Sequence, residues 1–217
     1  VEVAKEIAAV LKTASLDETQ TVILNELQNW DGDHTATSIA PAIYYNMLSQ
    51  IVFLAMEDEL GLTALKSLQS TSIPKNSFHT FIGNAASPWW DDVRTKDKKE
   101  TREDIVLRAT QKTVALLQKN CGKKPEQWTW GKIHTLTHKH ALNEAGLGFM
   151  FNAGPFVVDG GSEVLNNLHF SLDTTGYFPV TGGPALRKVT DFSNIESGET
   201  ISPSGQSGNV MSPHYKD

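Results

Sequence analysis

Cysteine is almost absent. Cys121 stands alone among 217 residues, so no internal disulfide can staple the fold, and the redox compartment stays open. Long apolar runs are missing too: the longest candidate, residues 39–56, is interrupted by Pro41, Asn46, Ser49 and Gln50, short of the roughly 20 apolar residues a membrane-crossing helix needs. There is no excess of positive charge, and a net charge of -6 argues against a nucleic-acid surface. Neither H-E-x-x-H nor C-x-x-C occurs, so the zinc motifs of diagnostic spacing are absent. The lone G-x-G at Gly146–Gly148 has no strand-turn-helix unit around it and is not a nucleotide fingerprint. No secretory leader opens the chain, as a piece cut from the interior of a precursor would predict. What is present is 39% hydrophobic residues, enough for a sizeable core, in a length that suits one or two compact units.

The first 122 residues read as helical. Val3, Ile7, Val10 and Leu11 recur at the spacing of one helix face. Ser15 and Glu18 have the spacing of a capping box for a second helix, which turns Ile23, Leu27 and Trp30 inward and stops at Asp31-Gly32. Pro41 suits the first turn of a third helix, with Ile43, Met47, Ile51 and Leu54 on one face, Tyr44 beside them and Gly61 as its stop. Residues 87–103 read as an exposed connection. Thr101 with Asp104 then opens a helix carrying Ile105, Ala109, Lys112, Leu116 and Leu117, closed by Gly122 and followed by Pro125.

After Trp128 the pattern becomes strand-like, with alternation at residues 133–138 and strand composition at 164–172 and 186–192. A helical first half followed by antiparallel strands predicts an α+β chain, with a helical segment over residues 1–122 and a strand-rich segment over 123–217, both parts of one larger enzyme domain.

Three clusters invite a chemical reading, and each has a plainer one. Glu57, Asp58 and Glu59 are consecutive, so on a helix their carboxylates point in different directions and suit a solvated helix end better than a metal site. Trp89 and Trp90 could line an acyl pocket, but anchoring of the loop in the core is the stronger expectation. His134, His138 and His140 share a strand face and could present imidazoles to Zn²⁺, yet residues four apart on a strand lie about 13 Å apart, which favours structural histidines. No catalytic, cofactor-binding or metal-binding residue is therefore assigned in this chain.

The last third carries the most specific wording. Gly205-Gln206-Ser207-Gly208-Asn209, with Ser212-Pro213-His214-Tyr215, is too rich in turn formers to be helix or central strand, so it is a shaped loop in which His214 is expected to serve the backbone. This G-Q-S-G-N-x-x-S-P-H-Y run resembles the closing motif of the penicillin acylase family of N-terminal-nucleophile hydrolases, which includes acyl-homoserine-lactone and cephalosporin acylases. Four further segments resemble the same family in order: Asn29-Trp30-Asp31-Gly32; Trp128-Thr129-Trp130-Gly131-Lys132-Ile133-His134 with His138 and His140 after it; Gly160-Gly161-Ser162-Glu163-Val164-Leu165-Asn166; and Gly183-Pro184-Ala185-Leu186-Arg187-Lys188-Val189.

The resemblance implies a partial piece of a four-layer αββα fold, the C-terminal part of the β-chain of an amide hydrolase. In that family the first residue of the mature β-chain, a Ser, attacks the amide and its own α-amine, of pKa about 7.7 to 8.0, serves as base. This chain begins with Val1, and the family's oxyanion Asn and nearby Arg precede the W-D-G segment; Asn25 lies at the wrong place to serve. The expectation is thus a fragment, inactive alone, whose nucleophile lies outside it. Some cephalosporin acylases pair a His with a Glu; the matching position here is Lys188, with Glu163 and Glu196 as displaced candidates, so a simple Ser-amine mechanism is expected. In the family S-P-H-Y is followed by an acid pair, a Gln and a Trp-containing stretch, whereas here Lys216-Asp217 follows, so the C-terminal edge is expected to be clipped as well.

The resemblance also implies a periplasmic location, a small acyl amide as substrate, no cofactor, and a structural calcium in some members expected outside this segment. The upstream part of the β-chain and the α-chain of the same precursor are the implied partners, with self-association when they are absent. Neither nucleic acid nor membrane is expected as a partner. The alternative from another class is a non-catalytic interaction or binding domain, told apart by whether a Ser-led polypeptide precedes Val1 in the same reading frame.

Overall fold

The computed structural model describes residues 1–184, 187–201, 205 and 207–216. The chain is α+β, helical first and then carrying short antiparallel strands, and it divides into two compact units. The first comprises Val1–His134 together with Ser171–Phe178; the second comprises Thr135–Phe170 and Pro179–Asp217.

Five helices build the first unit: α1 (Glu2–Leu11), α2 (Glu18–Asn29), α3 (Ala40–Gln69), α4 (Ile73–Gly83) and α5 (Arg102–Asn120). α3 is central. It packs on α2, α4 and α5, while α1 packs on α2, α4 and α5. Helix faces follow the apolar spacing: Ile7 and Leu11, Ile23 and Leu27, Ile43, Met47 and Ile51, and Ile105, Ala109 and Leu117 are all buried.

Helix ends follow capping chemistry. Thr101 accepts from the Asp104 N–H and the Asp104 carboxylate accepts from the Thr101 N–H, a complete capping box. α2 is capped by Asp17 with Gln20 rather than by Ser15 with Glu18. Both pairs have the required spacing, and an Asp caps as well as a Ser, so the later pair starts the helix two residues further on. Gly61 breaks α3 with φ 71° and ψ 163°, a left-handed backbone that favours glycine, but the helix resumes and runs on to Gln69. α4 then follows, with Pro74, Phe78 and Ile82 inward.

Among the described residues the second unit has two separate two-stranded sheets. β1 (Thr135–His138) pairs antiparallel with β2 (Ala153–Val157), in register Thr135 to Val157 and Leu136 to Phe156, with an irregularity before His138 meets Ala153. Gly154 sits at that irregularity with φ 111°, and a Cβ there would lie 2.5 Å from the Leu136 carbonyl oxygen. One helical turn, α6 (Gly148–Phe151), precedes β2. β3 (Arg187–Val189) pairs antiparallel with β4 (Glu199–Ile201).

The expected strand at 164–172 is not a ladder. Its buried residues do alternate, Leu168, Phe170 and Leu172, but among the described residues its pairing is in isolated bridges from Asn167 to Gly161 and from His169 to Gly182. Of the expected strand at 186–192, residues 187–189 form β3; Leu186, like Ala185, Gln206 and Asp217 of the singled-out segments, lies outside the described residues.

Candidate functional site

Two of the sequence segments, about one hundred residues apart, meet in the first unit. The Trp30 ring lies 5.0 Å from Tyr44 and 5.1 Å from His34. Tyr45 stacks on Trp130 at 5.2 Å, and Trp130 stacks on His134 at 4.4 Å with only 13° between the planes. Phe178 closes the group, 6.0 Å from Trp130. The backbone is tied at the same place: the Trp130 and Gly131 amides donate to Ser38 and Ala36 carbonyls, each at 2.8 Å. Indole N–H groups buried with their rings need acceptors; Trp30 Nε1 donates to the Asp33 carbonyl and Trp128 Nε1 to the Gly122 carbonyl.

The histidines of this cluster are held rather than presented. His134 is fully buried, and its Nδ1 donates to the Phe178 carbonyl at 2.8 Å. Desolvation outweighs that bond and, with the nearby His34, lowers its pKa to about 4, so it is neutral at physiological pH. His34 donates through Nδ1 to the Gly32 carbonyl, which leaves Nε2 to accept from the Tyr45 hydroxyl at 3.0 Å; burial lowers its pKa also. His138 lies in β1, and His140 accepts from the Leu142 N–H at the start of a 3-10 turn while stacking on Phe151. Among the described residues no group of three or more His, Cys, Asp or Glu side chains comes together as metal ligands would. Cys121 is buried, and desolvation pushes its thiol up to about 11, which makes it inert at neutral pH.

Buried polar residues on α3 have a use that the sequence did not disclose. Ser49 donates to the Asp173 carbonyl at 2.8 Å, Gln50 to the Thr174 carbonyl at 3.3 Å, and Asn120 of α5 to the Thr175 carbonyl at 2.9 Å. The Leu172 amide donates to the Gln69 carbonyl at 3.3 Å. Residues 171–178 thus form a strap whose backbone carbonyls are served by helix side chains, as buried backbone groups require. Gly176 fits where a Cβ would lie 2.8 Å from Asn46 Oδ1 and 2.9 Å from Asn120 Nδ2, at φ 80°. Ser49 and Gln50 read as interruptions of an apolar run; nothing local in the sequence links them to a segment 124 residues away.

The turn-rich segments are shaped by their own backbone. Gly160, at φ 98°, lies where a Cβ would be 2.2 Å from the Asn166 carbonyl oxygen, while Asn166 Nδ2 donates to the Asp159 carbonyl. In the closing loop Ser207 N–H donates to the His214 carbonyl, Met211 N–H to Asn209 Oδ1, and the Tyr215 hydroxyl to the Phe151 carbonyl. Gly205 sits against the backbone of His214 and Tyr215 with no room for a Cβ. An open groove of about 460 Å³ is lined by Thr137, Asn143, Phe149, Asn152, Pro155 and Lys216. Its amides are already engaged, Asn152 Nδ2 donating to Asn143 Oδ1 and Asn152 Oδ1 accepting from the His140 N–H.

Trp90 anchors its loop in the core: it is buried, stacks on Phe81 at 4.1 Å and donates to the Asn84 carbonyl. In the acidic run Glu59 is exposed, as a solvated helix end would be, while Glu57 and Asp58 are half-buried. Arg94 binds Glu57 at 2.7 Å and Asp92 at 2.9 Å, and the Val93 N–H donates to Asp58 Oδ2 at 2.7 Å. Lys188 lies in β3 and Glu196 in a 3-10 turn, while Glu163 occupies a left-handed turn position at φ 64°.

Comparison with known proteins identifies the family of the chain. The model of the family described as penicillin amidase matches residues 1–217. Acyl-homoserine lactone acylase QuiP of Pseudomonas aeruginosa is 30% identical over 217 residues, covering 89% of this chain and 25% of that protein. The protein of the same name from Pseudomonas syringae pv. tomato is 32% identical over 197 residues, covering 87% of this chain and 23% of that protein. The chain therefore spans about a quarter of the length of the curated relatives it matches.

Proposed function

The chain belongs to the penicillin amidase family, and on that premise we propose that it is the C-terminal part of the β-chain of a periplasmic N-terminal-nucleophile acylase that cleaves N-acyl-homoserine lactones. The observation that carries this reading is the family match along all of residues 1–217, with relatives named acyl-homoserine lactone acylases of which this chain spans only a quarter. In the proposed reaction a Ser Oγ outside these residues attacks the amide carbonyl carbon, the α-amine of the same Ser takes the proton, and the homoserine lactone leaves as the free amine. Water then hydrolyses the acyl ester and restores the Ser.

Residues 1–217 serve as scaffold in this scheme. Their two histidines of the aromatic cluster are engaged by backbone carbonyls, and burial disfavours their charged forms. The rest of the precursor is the proposed partner. Support comes from the second unit, where Phe149 is 83% exposed, Val157 66% and Phe192 91%, apolar side chains available to a partner.

Co-expression of residues 1–217 with the preceding part of the same reading frame tests the proposal, with release of homoserine lactone as the readout. The complete protein is expected to turn over N-acyl-homoserine lactones, while residues 1–217 alone stay at background on these, on phenylacetyl amides and on glutaryl amides. Full turnover by residues 1–217 alone, or none by the complete protein, would overturn it. Among the described residues no helix is long and apolar enough to cross a membrane.

A further inference from the structure

The rings of the aromatic cluster form a continuous path as well as a core. Tyr44 is half-buried and Trp30 is 6% exposed, while Trp130 is fully buried. Trp30 and Tyr44 have centroids 5.0 Å apart, Tyr44 meets Tyr45 edge-on at 4.9 Å, and Tyr45 stacks on Trp130 at 5.2 Å. Rings at these separations are in van der Waals contact, so an electron can pass from each to the next. Their polar edges differ. Trp30 Nε1 donates to the Asp33 carbonyl, which is no base. The Tyr45 hydroxyl instead lies 3.0 Å from His34 Nε2, and because His34 Nδ1 donates to the Gly32 carbonyl, Nε2 offers a lone pair. Tyr45 is 5% exposed, so water has little access to that bond.

We propose that Tyr45 is the sink for one-electron oxidation of this chain of rings, and that by giving up an electron and a proton it spares Trp130. A radical oxidant at the surface removes one electron from Tyr44 or Trp30. An electron then moves outward from Tyr45 to refill that ring. As it leaves, the Tyr45 O–H bond breaks and the proton forms an N–H bond at His34 Nε2, which leaves a neutral tyrosyl radical beside an imidazolium. An oxidised phenol is a strong acid, so even a weakly basic imidazole takes its proton. Burial, the largest influence on His34, lowers its pKa and keeps it in the neutral form that the transfer needs. A small thiol or ascorbate then supplies one electron, the proton returns from His34 to the Tyr45 oxygen, and the pair is restored. A radical cation on Trp30 has only a carbonyl at its N–H, cannot shed its proton there, and so does not trap the charge.

Flash oxidation by a photogenerated ruthenium tris-bipyridine oxidant tests the assignment, in a parent protein carrying Tyr177→Phe and Tyr215→Phe so that the phenols outside the cluster do not contribute. Transient absorption separates the sharp near-ultraviolet band of a tyrosyl radical from the broad visible band of a tryptophanyl radical. The parent is expected to give tyrosyl. Tyr45→Phe keeps the ring and loses the hydroxyl, and is expected to give several-fold less tyrosyl with tryptophanyl in its place. His34→Gln keeps a hydrogen-bonding side chain without the base, and a several-fold loss is expected there too. Tyrosyl formation in the parent is expected to slow in heavy water, a readout that depends on no further variant. With a thiol present, peptide mass spectrometry is expected to find oxidised Trp130 accumulating several-fold faster in Tyr45→Phe than in the parent. Equal tyrosyl yields in the parent and Tyr45→Phe would place the radical on Tyr44 and overturn the proposal. A yield that His34→Gln leaves unchanged, formation indifferent to heavy water, or equal oxidation of Trp130 in the two proteins would overturn it as well.

Discussion

The helical unit and the strand-bearing unit differ in what each needs from outside itself. A helix satisfies its backbone within its own sequence, so five of them can close a core once their apolar faces meet. That core is continuous, from Ile7 and Leu11 through Met47 and Ile51 to Trp90, Trp128 and Trp130. A strand satisfies its backbone only through a neighbour. Among its described residues the second unit has two pairs of short strands, and its apolar residues include Phe149, Val157, Leu165, Val189, Phe192 and Met211, all exposed. Both units come from one chain of one family, and the difference teaches that the helical part carries its own closure while the described strand part leaves apolar side chains exposed.

The largest effect should come from the helical unit. Trp130→Ala removes the ring on which Tyr45 and His134 stack, and a buried Trp→Ala costs about 3–5 kcal/mol. Urea unfolding is the measurement, and a loss below about 1 kcal/mol would mean that the aromatic cluster is not part of the core.

Acid should single out the same unit next. His134 is lowered in the fold, so its contribution is fully present above the unfolded value of 6.5 and is lost as pH falls from there toward about 4. The expected loss is at most roughly 3 kcal/mol, seen as a falling urea midpoint between pH 6.5 and 4. His134→Asn should flatten that slope at the expense of stability at pH 7; an unchanged slope would show that other groups govern the acid limb.

The smallest effect on stability, and the sharpest contrast, is expected from Phe149→Ser in the second unit. An exposed side chain away from special features changes stability by no more than about 0.5 kcal/mol, but removing this ring should reduce self-association of residues 1–217 in light scattering. A monodisperse wild-type chain, indifferent to the upstream piece, would erase the difference between the two units.

Legibility in the sequence followed the same divide. Helix faces and the Thr101–Asp104 box were readable because their causes are local. The Ser15 and Asp17 alternatives differed by two residues, and spacing alone does not choose between them. α4 was covered only by the general reading of residues 1–122 as helical, since two buried aromatic and aliphatic residues, Phe78 and Ile82, give a weak period. At 164–172 strand composition implied a ladder, whereas the pairing seen among the described residues is in isolated bridges, because composition does not report the presence of a partner. β2 and β4 were not anticipated: Ala-Gly-Pro-Phe-Val lacks strand propensity, and Glu199–Ile201 is too short to show a period. In the candidate site, the W-D-G and W-x-W-G-x-x-H segments could be named from sequence, but their meeting could not, since it depends on Tyr45, which contacts both His34 and Trp130.

The strap at 171–178 sets an order on synthesis. A ribosome delivers α1 to α5 first, yet Ser49 and Gln50 receive their acceptors only when Asp173 and Thr174 emerge, 124 residues later in each case. Until then α3 exposes hydroxyl and amide groups made for a chain that does not yet exist, and the slow closure of so long a loop stands between a collection of helices and a finished core. The helical unit, for all its local hydrogen bonding, is a late-completing body, and any stall in translation between residues 134 and 178 leaves it open along the face of its central helix.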